Sequence, residues 1–263
     1  MKNKRKMMLV NICSIVGFVL LWQAYATYNK YAQFMNPKFL PTPTDVLVTF
    51  KEYWDDSVLL LNISVSMIRI IKGFVIGFIL SLGVGYLSGK HPIFENIVEP
   101  IINIIAAVPL YAFLPLFIIW FGIGETAKII LIAISVFLPI YTNVVQGIKS
   151  VDPLQVRMLL SLGAGKWQLF RHVIFPTALP YIFTGLKSAV TNSFAALVVA
   201  EMIGADTGLG FIIVDGRNWF KVSDMFMAMV CIAVLSSVIL AVLKVLEKRL
   251  LKWNKEGLSS AID

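Results

Sequence analysis

At 263 residues, 58% of them hydrophobic and 14% charged, the chain is too apolar for a soluble domain, in which about 25% of residues are charged. It has room for six membrane spans of roughly 20 residues each and for no second globular domain. The formal charge of +8 comes from basic residues scattered at the ends of apolar runs, so it serves orientation in a membrane and argues against nucleic acid as a partner.

The N-terminus, Met1-Lys-Asn-Lys-Arg-Lys6 ahead of an apolar run from Met7, resembles a signal peptide. The run continues to Ala26 with no small-x-small site behind it, so it reads as an uncleaved first span over 8–27. Further apolar segments lie at 62–88, 96–121, 126–148, 180–204 and 225–246, each long enough to cross the ~30 Å hydrocarbon layer as a helix. The expectation is an all-α integral membrane protein of six transmembrane helices, one domain over 1–263. In the second segment, Arg69 and Lys72 lie near the start. They either snorkel toward an interface or that end packs on another helix outside the lipid.

Between the first two segments, Pro37, Pro41 and Pro43 precede Thr44 and the pattern Val46-Leu47…Phe50…Tyr53-Trp54. This predicts a helix capped by Thr44 and lying in the membrane interface; a partner-docking helix is the other reading. The third segment holds Pro109 and Pro115 around Leu-Tyr-Ala-Phe-Leu, and the fourth holds Pro139. Such prolines line cavities in transporters or simply kink a packed helix. Six spans put both termini on one side, with fourteen Lys and Arg there, from Lys2 to Lys255, against six opposite, from Lys30 to Lys221. By the positive-inside rule the termini and the 149–175 segment are cytoplasmic, in a multi-pass protein of the cell membrane.

The polar break at 150–176 carries most of the functional information. Asp152-Pro153 is a helix start, because proline in the first turn forfeits no hydrogen bond. An amphipathic stretch runs from Leu154 to Leu162, and Gly163 ends it. Trp167, Phe170 and Val173 then recur at three-residue spacing, flanked by Lys166, Arg171 and His172, and Pro176 and Pro180 punctuate the approach to the fifth span. Two readings fit: short helices that insert into a groove of another protein, or an amphipathic loop lying on an anionic leaflet.

The pattern Gly163-x9-Val173-x-Phe175-Pro176 resembles the loop signature of binding-protein-dependent ABC importer permeases, Glu-Ala-Ala-x3-Gly-x9-Ile-x-Leu-Pro. The match is sharpest to the sulfonate/taurine/nitrate-type branch. There Leu162-Gly163-Ala164, Trp167 to His172, Pro176-x3-Pro180-x4-Gly185, Trp120 to Glu125, Ser150 to Pro153, Val199 to Gly204 and Leu40 to Pro43 all agree. The resemblance implies a type I ABC importer permease with a cytoplasmic coupling-helix pair at 150–176. It also implies a homodimer of permease subunits, two cytoplasmic ATPase subunits docking at 155–172, and an external solute-binding protein. The coupling residues would be Arg157, Leu160, Gly163, Ala164, Trp167, Phe170 and Pro176. One departure stands out: the family's Glu-Ala-Ala falls on Arg157-Met158-Leu159, so the glutamate's role does not transfer to Arg157.

A phosphate loop requires Gly-x4-Gly-Lys-Ser/Thr, and around Gly165-Lys166 the other required positions are Leu160 and Trp167. No cofactor is therefore expected on this chain; ATP and Mg would be bound by partner subunits. His91 and His172 lie in different loops, which leaves no metal-ligand cluster. Polar groups in the spans are the candidates for a solute path, because lipid makes them expensive. Those singled out are Asn192, Ser193 and Glu201, with Pro109, Tyr111 and Phe113 on the broken third span. Lys187 either attracts an anion or snorkels. The resemblance points to a sulfonate-, taurine- or nitrate-like anion, or to a thiamine-precursor-like compound. A stand-alone secondary transporter would leave 155–172 without a role, and a membrane enzyme would need convergent acids or histidines at one depth.

Overall fold

The computed structural model describes residues 2–253, and of the first twelve side chains only that of Val10. In chain order the helices are α1 (Lys2–Ala32), α2 (Pro43–Asp55), α3 (Val58–Lys90), α4 (Pro92–Ala107), α5 (Leu114–Phe121), α6 (Glu125–Lys149), α7 (Pro153–Ser161), α8 (Lys166–Leu169), α9 (Phe175–Gly204), α10 (Leu209–Asn218) and α11 (Val222–Leu250). No strand occurs among the described residues. The described residues form two compact units, one from the N-terminal stretch through 65 with 206–232 and the other from 66–205 with the stretch from 233 on.

In the first unit, α2 starts at a capping box. The Thr42 hydroxyl accepts from the Asp45 N–H at 3.2 Å, and the Asp45 carboxylate accepts from the Thr42 N–H at 2.9 Å. The cap is therefore Thr42 rather than the expected Thr44. Pro43 decides this, because the first helical position is where proline's missing donor costs nothing. Lys30 of α1 pairs with Asp45 at 2.7 Å. Burial pushes the Asp45 carboxyl up, but the bonds from Lys30 and Thr42 outweigh it and hold the group below the ordinary carboxylate value. At the far end of α2, the Tyr53 hydroxyl donates to Asp224 of α11 at 2.7 Å. Leu47, Val48, Phe50 and Trp54 remain exposed along the helix, with Phe50 and Trp54 stacked. Gly208 caps the start of α10. There Gly208, at φ +124°, donates its N–H to the buried Asn62 side chain at 2.6 Å.

The second unit is centred on α6, whose Leu131, Ile132, Val136 and Ile140 are fully buried. Lipid supplies no hydrophobic drive between helices, so close backbone approach has to supply the packing. Gly77 of α3 shows how tight that approach is. A Cβ there would strike the carbonyl oxygen of Ala133 and come within 2.9 Å of Val136 Cβ on α6. Gly147 does the same between α6 and α9, where a Cβ would lie 2.9 Å from Ala178 Cα. Lys149 at the end of α6 is tied to Glu95 of α4 by an ion pair.

The expected third span, 96–121, is not one helix. It begins at Pro92, and α4 ends at Ala107 with Val108 extended. Pro109 then leads into a single 3-10 turn, Leu110–Phe113, before α5. The two pieces are bent by 91° at this break. Pro115 sits in the first turn of α5, where it breaks nothing, and α6 runs through Pro139 without interruption. The fifth span starts earlier than 180, since Lys166–Gly204 is continuously helical over 39 residues. Among the described residues, four helices are long and apolar enough to cross a membrane, or five if the bent pair counts as one. The backbone of 8–27 is helical within α1, but residues 8, 9, 11 and 12 are among those whose side chains lie outside the described set.

The α3–α6 contact gives a paired prediction. Gly77→Val should cost about 1–3 kcal/mol or more by overpacking and lower the thermal midpoint of the detergent-solubilised protein. Gly83→Ala, where an added Cβ would meet nothing within 4 Å, should leave it unchanged.

Candidate functional site

The 150–176 segment folds as two helical pieces about a glycine. The Asp152 side chain accepts from the Leu154 N–H at 2.8 Å and caps α7, with Pro153 in its first turn. Gly163, at φ +77°, ends it; an L-residue there would be strained. Gln168 reaches back to accept from the Gly165 N–H at 2.8 Å, which starts α8. The second piece does not stop before the span. It passes through a π turn, Phe170–Ile174, directly into α9. Pro176 accounts for the wide turn: it lacks the N–H that would bond to the His172 carbonyl, and its ring needs room there.

The surface of this segment is apolar and open. Leu154, Met158, Leu160 and Leu162 are exposed on or just after α7, Leu162 by 80%, and Trp167 is 69% exposed on α8. Trp167 stacks on Phe170 at 5.7 Å, and Phe170 meets Tyr86 of α3 edge-on at 5.8 Å. Together with Ile148, Phe175 and Ile182, these rings border a cavity of about 790 Å³. Arg157 is exposed, and its carbonyl accepts from Ser161; Ala164 and Pro176 are half-buried. Of the seven residues expected to act in coupling, Arg157, Leu160, Gly163 and Trp167 are exposed and Ala164, Phe170 and Pro176 are half-buried.

A second feature joins residues far apart in the sequence. Arg69 of α3, with a side chain 4% exposed, sits in an ion cluster joining three helices. Its Nε and Nη2 donate in parallel to the two Glu125 oxygens of α6, each at 2.7 Å. Its Nη1 donates to Glu201 of α9 at 2.8 Å, and the Ser66 hydroxyl donates to the same carboxylate at 2.8 Å. Lys128, one turn along α6, donates to Glu125 at 3.1 Å. The two cations balance the two carboxylates. Balance is needed, because an uncompensated buried ion costs several kcal/mol. Of the two fates open to Arg69, packing on other helices is the one observed. The only sequence signal was a charge within an apolar segment; its partners lie 56 and 132 residues away.

The remaining path candidates scatter. Ser193 is fully buried and donates to the Val190 carbonyl, whereas Asn192 is exposed. Pro109 and Tyr111 are exposed at the 91° break, and Phe113 stacks on Phe117 at 6.0 Å. Glu201 belongs to the ion cluster. Lys187 is paired with Glu247 of α11 at 2.7 Å. No group of three or more His, Cys, Asp or Glu that could hold a metal ion occurs among the described residues.

Comparison with known proteins places these features in context. Residues 59–252 match the family described as binding-protein-dependent transport system inner membrane component. The taurine transport system permease protein of Escherichia coli (strain K12) is 33% identical over 252 residues, 94% of this chain and 90% of that protein. The putative aliphatic sulfonates transport permease protein of Bacillus subtilis (strain 168) is 36% identical over 239 residues, 90% of this chain and 84% of that one. In fold, the chain is similar to an amino acid ABC transporter structure with a TM-score of 0.62. That likeness is at 19% identity and covers 76% of this chain and 97% of the other.

The cluster predicts unequal losses. Arg69→Met leaves the buried Glu201 charge without its cation and should cost about 3–5 kcal/mol. Glu125→Gln should cost less, because Arg69 keeps its pair with Glu201 and the half-exposed position lets water reach the remaining positive charge. Thermal unfolding of the two variants in detergent checks the ranking.

Proposed function

The chain belongs to the binding-protein-dependent transport system inner membrane components, and from that premise we propose how it works as the permease subunit of an ABC importer. Its relatives are transport permeases rather than enzymes. Two copies enclose a path through the cell membrane, and six spans per copy, with α1 as the first, leave both termini in the cytoplasm. An external binding protein delivers a small organic sulfonate of the taurine type, the class named for the relatives above. ATP and Mg belong to two partner ATPase subunits that dock on α7 and α8.

The observation that carries this reading is the exposed apolar surface of 154–167 held in place by Gly163. A polar loop has no use for exposed Leu160, Leu162 and Trp167 unless a partner covers them. Arg157 lies on this surface, where the family pattern has an acid. Losing one exposed ion pair costs under ~1 kcal/mol, so the apolar contacts and Gly163 bear the docking.

The continuous helix Lys166–Gly204 explains how docking becomes movement. Force applied at α8 is transmitted along one rod at about 1.5 Å per residue to Glu201, which is locked to α3 and α6 through Arg69. Closure of the ATPase subunits moves α8, and the rod shifts the other end of the bundle, which is alternating access by rigid-body motion. The π turn at 170–174 is the softest place along it.

Co-purification tests the docking. Gly163→Val forces an L-residue into a left-handed conformation at about 1–2 kcal/mol, and Trp167→Ala removes the largest exposed ring. Each should cut the ATPase retained on the tagged permease several-fold while leaving permease yield unchanged. ATPase retention unaffected by the pair of changes together would sink the docking assignment.

A further inference from the structure

The ion cluster treats its two carboxylates very differently. Glu201 is completely buried, whereas the Glu125 side chain is 53% exposed. A half-exposed carboxylate on the first residue of a helix faces water or a wet cavity, not lipid. We propose that the Arg69 edge formed by Nε and Nη2, together with Lys128 Nζ, is a binding site for the oxyanion group of the solute. Glu125 is its built-in occupant, displaced when the solute arrives. This rests on the importer reading and names the group on the solute that the permease recognises.

Four observations support the site. Three donors already converge on one pair of oxygens, at 2.7, 2.7 and 3.1 Å, and the guanidinium fork matches the oxygens of a sulfonate as well as those of a carboxylate. Charge is conserved in the exchange. Glu201 stays as the fixed counter-ion to the two cations, so a monoanion that replaces Glu125 leaves the cluster neutral and no net charge is buried. The site also lies at the N-terminus of α6, whose unpaired N–H groups and dipole favour an anion. Finally, the displaced side chain has somewhere to go. Its outer half is open, and the preceding Gly122-Ile123-Gly124 link, with Gly122 at φ +80° and Gly124 nearly fully extended, crowds it with little side-chain bulk. Selection follows from the same geometry, since a cationic solute would meet Arg69 and Lys128.

The test is direct binding to the purified permease–ATPase complex without the binding protein, by titration calorimetry. The probe is methanesulfonate, with methylammonium as the cation of matched size, and thermal melts confirm that each variant is folded. Glu125→Gln removes the competing carboxylate charge and should tighten methanesulfonate binding about tenfold, the equivalent of one charge-assisted hydrogen bond. Arg69→Lys added to that variant keeps the charge but removes the fork, and should abolish the gain. Methylammonium should not bind to any of these proteins. Methanesulfonate affinity that is unchanged or weaker in Glu125→Gln overturns the site, as does equal binding of methylammonium. ATPase association and ATP-driven uptake by the unaltered importer are read in parallel. Both intact beside a failed Glu125→Gln result overturn this site alone, whereas loss of ATPase association strikes at the importer reading itself.

Discussion

A guanidinium inside an apolar helical body must be matched charge for charge, and the second unit of this protein is arranged around that requirement. Arg69 draws one carboxylate from α6 and one from α9, so three helices are fixed relative to one another at a single point. The glycines of α3 let the helix approach α6 closely enough for the Arg69 side chain to reach across. In lipid, where apolar surface gains nothing by leaving its surroundings, such a pin together with tight backbone contact is what defines the assembly.

The pin gains functional meaning from what is attached to it. Glu201 lies near one end of a helix whose other end is α8, a short piece on which Trp167 is largely exposed. In the docking we propose, a partner pressing on Trp167 acts on the ion cluster through one continuous helix. In the coupling we propose, movement is carried along one helix, and the π turn at Pro176 marks where it flexes.

The sequence was legible wherever the controlling interaction is local. Asp152-Pro153 announced α7, and Gly163 announced its end, because caps and left-handed turns are decided by residues a few positions apart. The apolar segments announced helices for the same reason. Where the deciding contact is distant or cooperative, the local pattern does not reveal it. Thr44 stands before the amphipathic run and reads as the cap, but the cap is Thr42, because Pro43 takes the first helical position. Pro176 and Pro180 suggested a break between the short helix and the span, but a π turn absorbs the first and the helix continues through the second. The 91° bend at Pro109 was visible as a proline but not as an angle. Arg69, Glu125 and Glu201 carry no periodicity that connects them.

The central claim is that this chain moves solute only when partner subunits hydrolyse ATP. The most direct measurement is accumulation of a radiolabelled sulfonate in proteoliposomes holding the permease, its ATPase subunits and its binding protein, with and without ATP on the ATPase side. Concentration of the solute against its gradient should require both ATP and the ATPase subunits, and should vanish with a non-hydrolysable nucleotide. Uptake by the permease alone, driven by a proton or sodium gradient, would contradict the account.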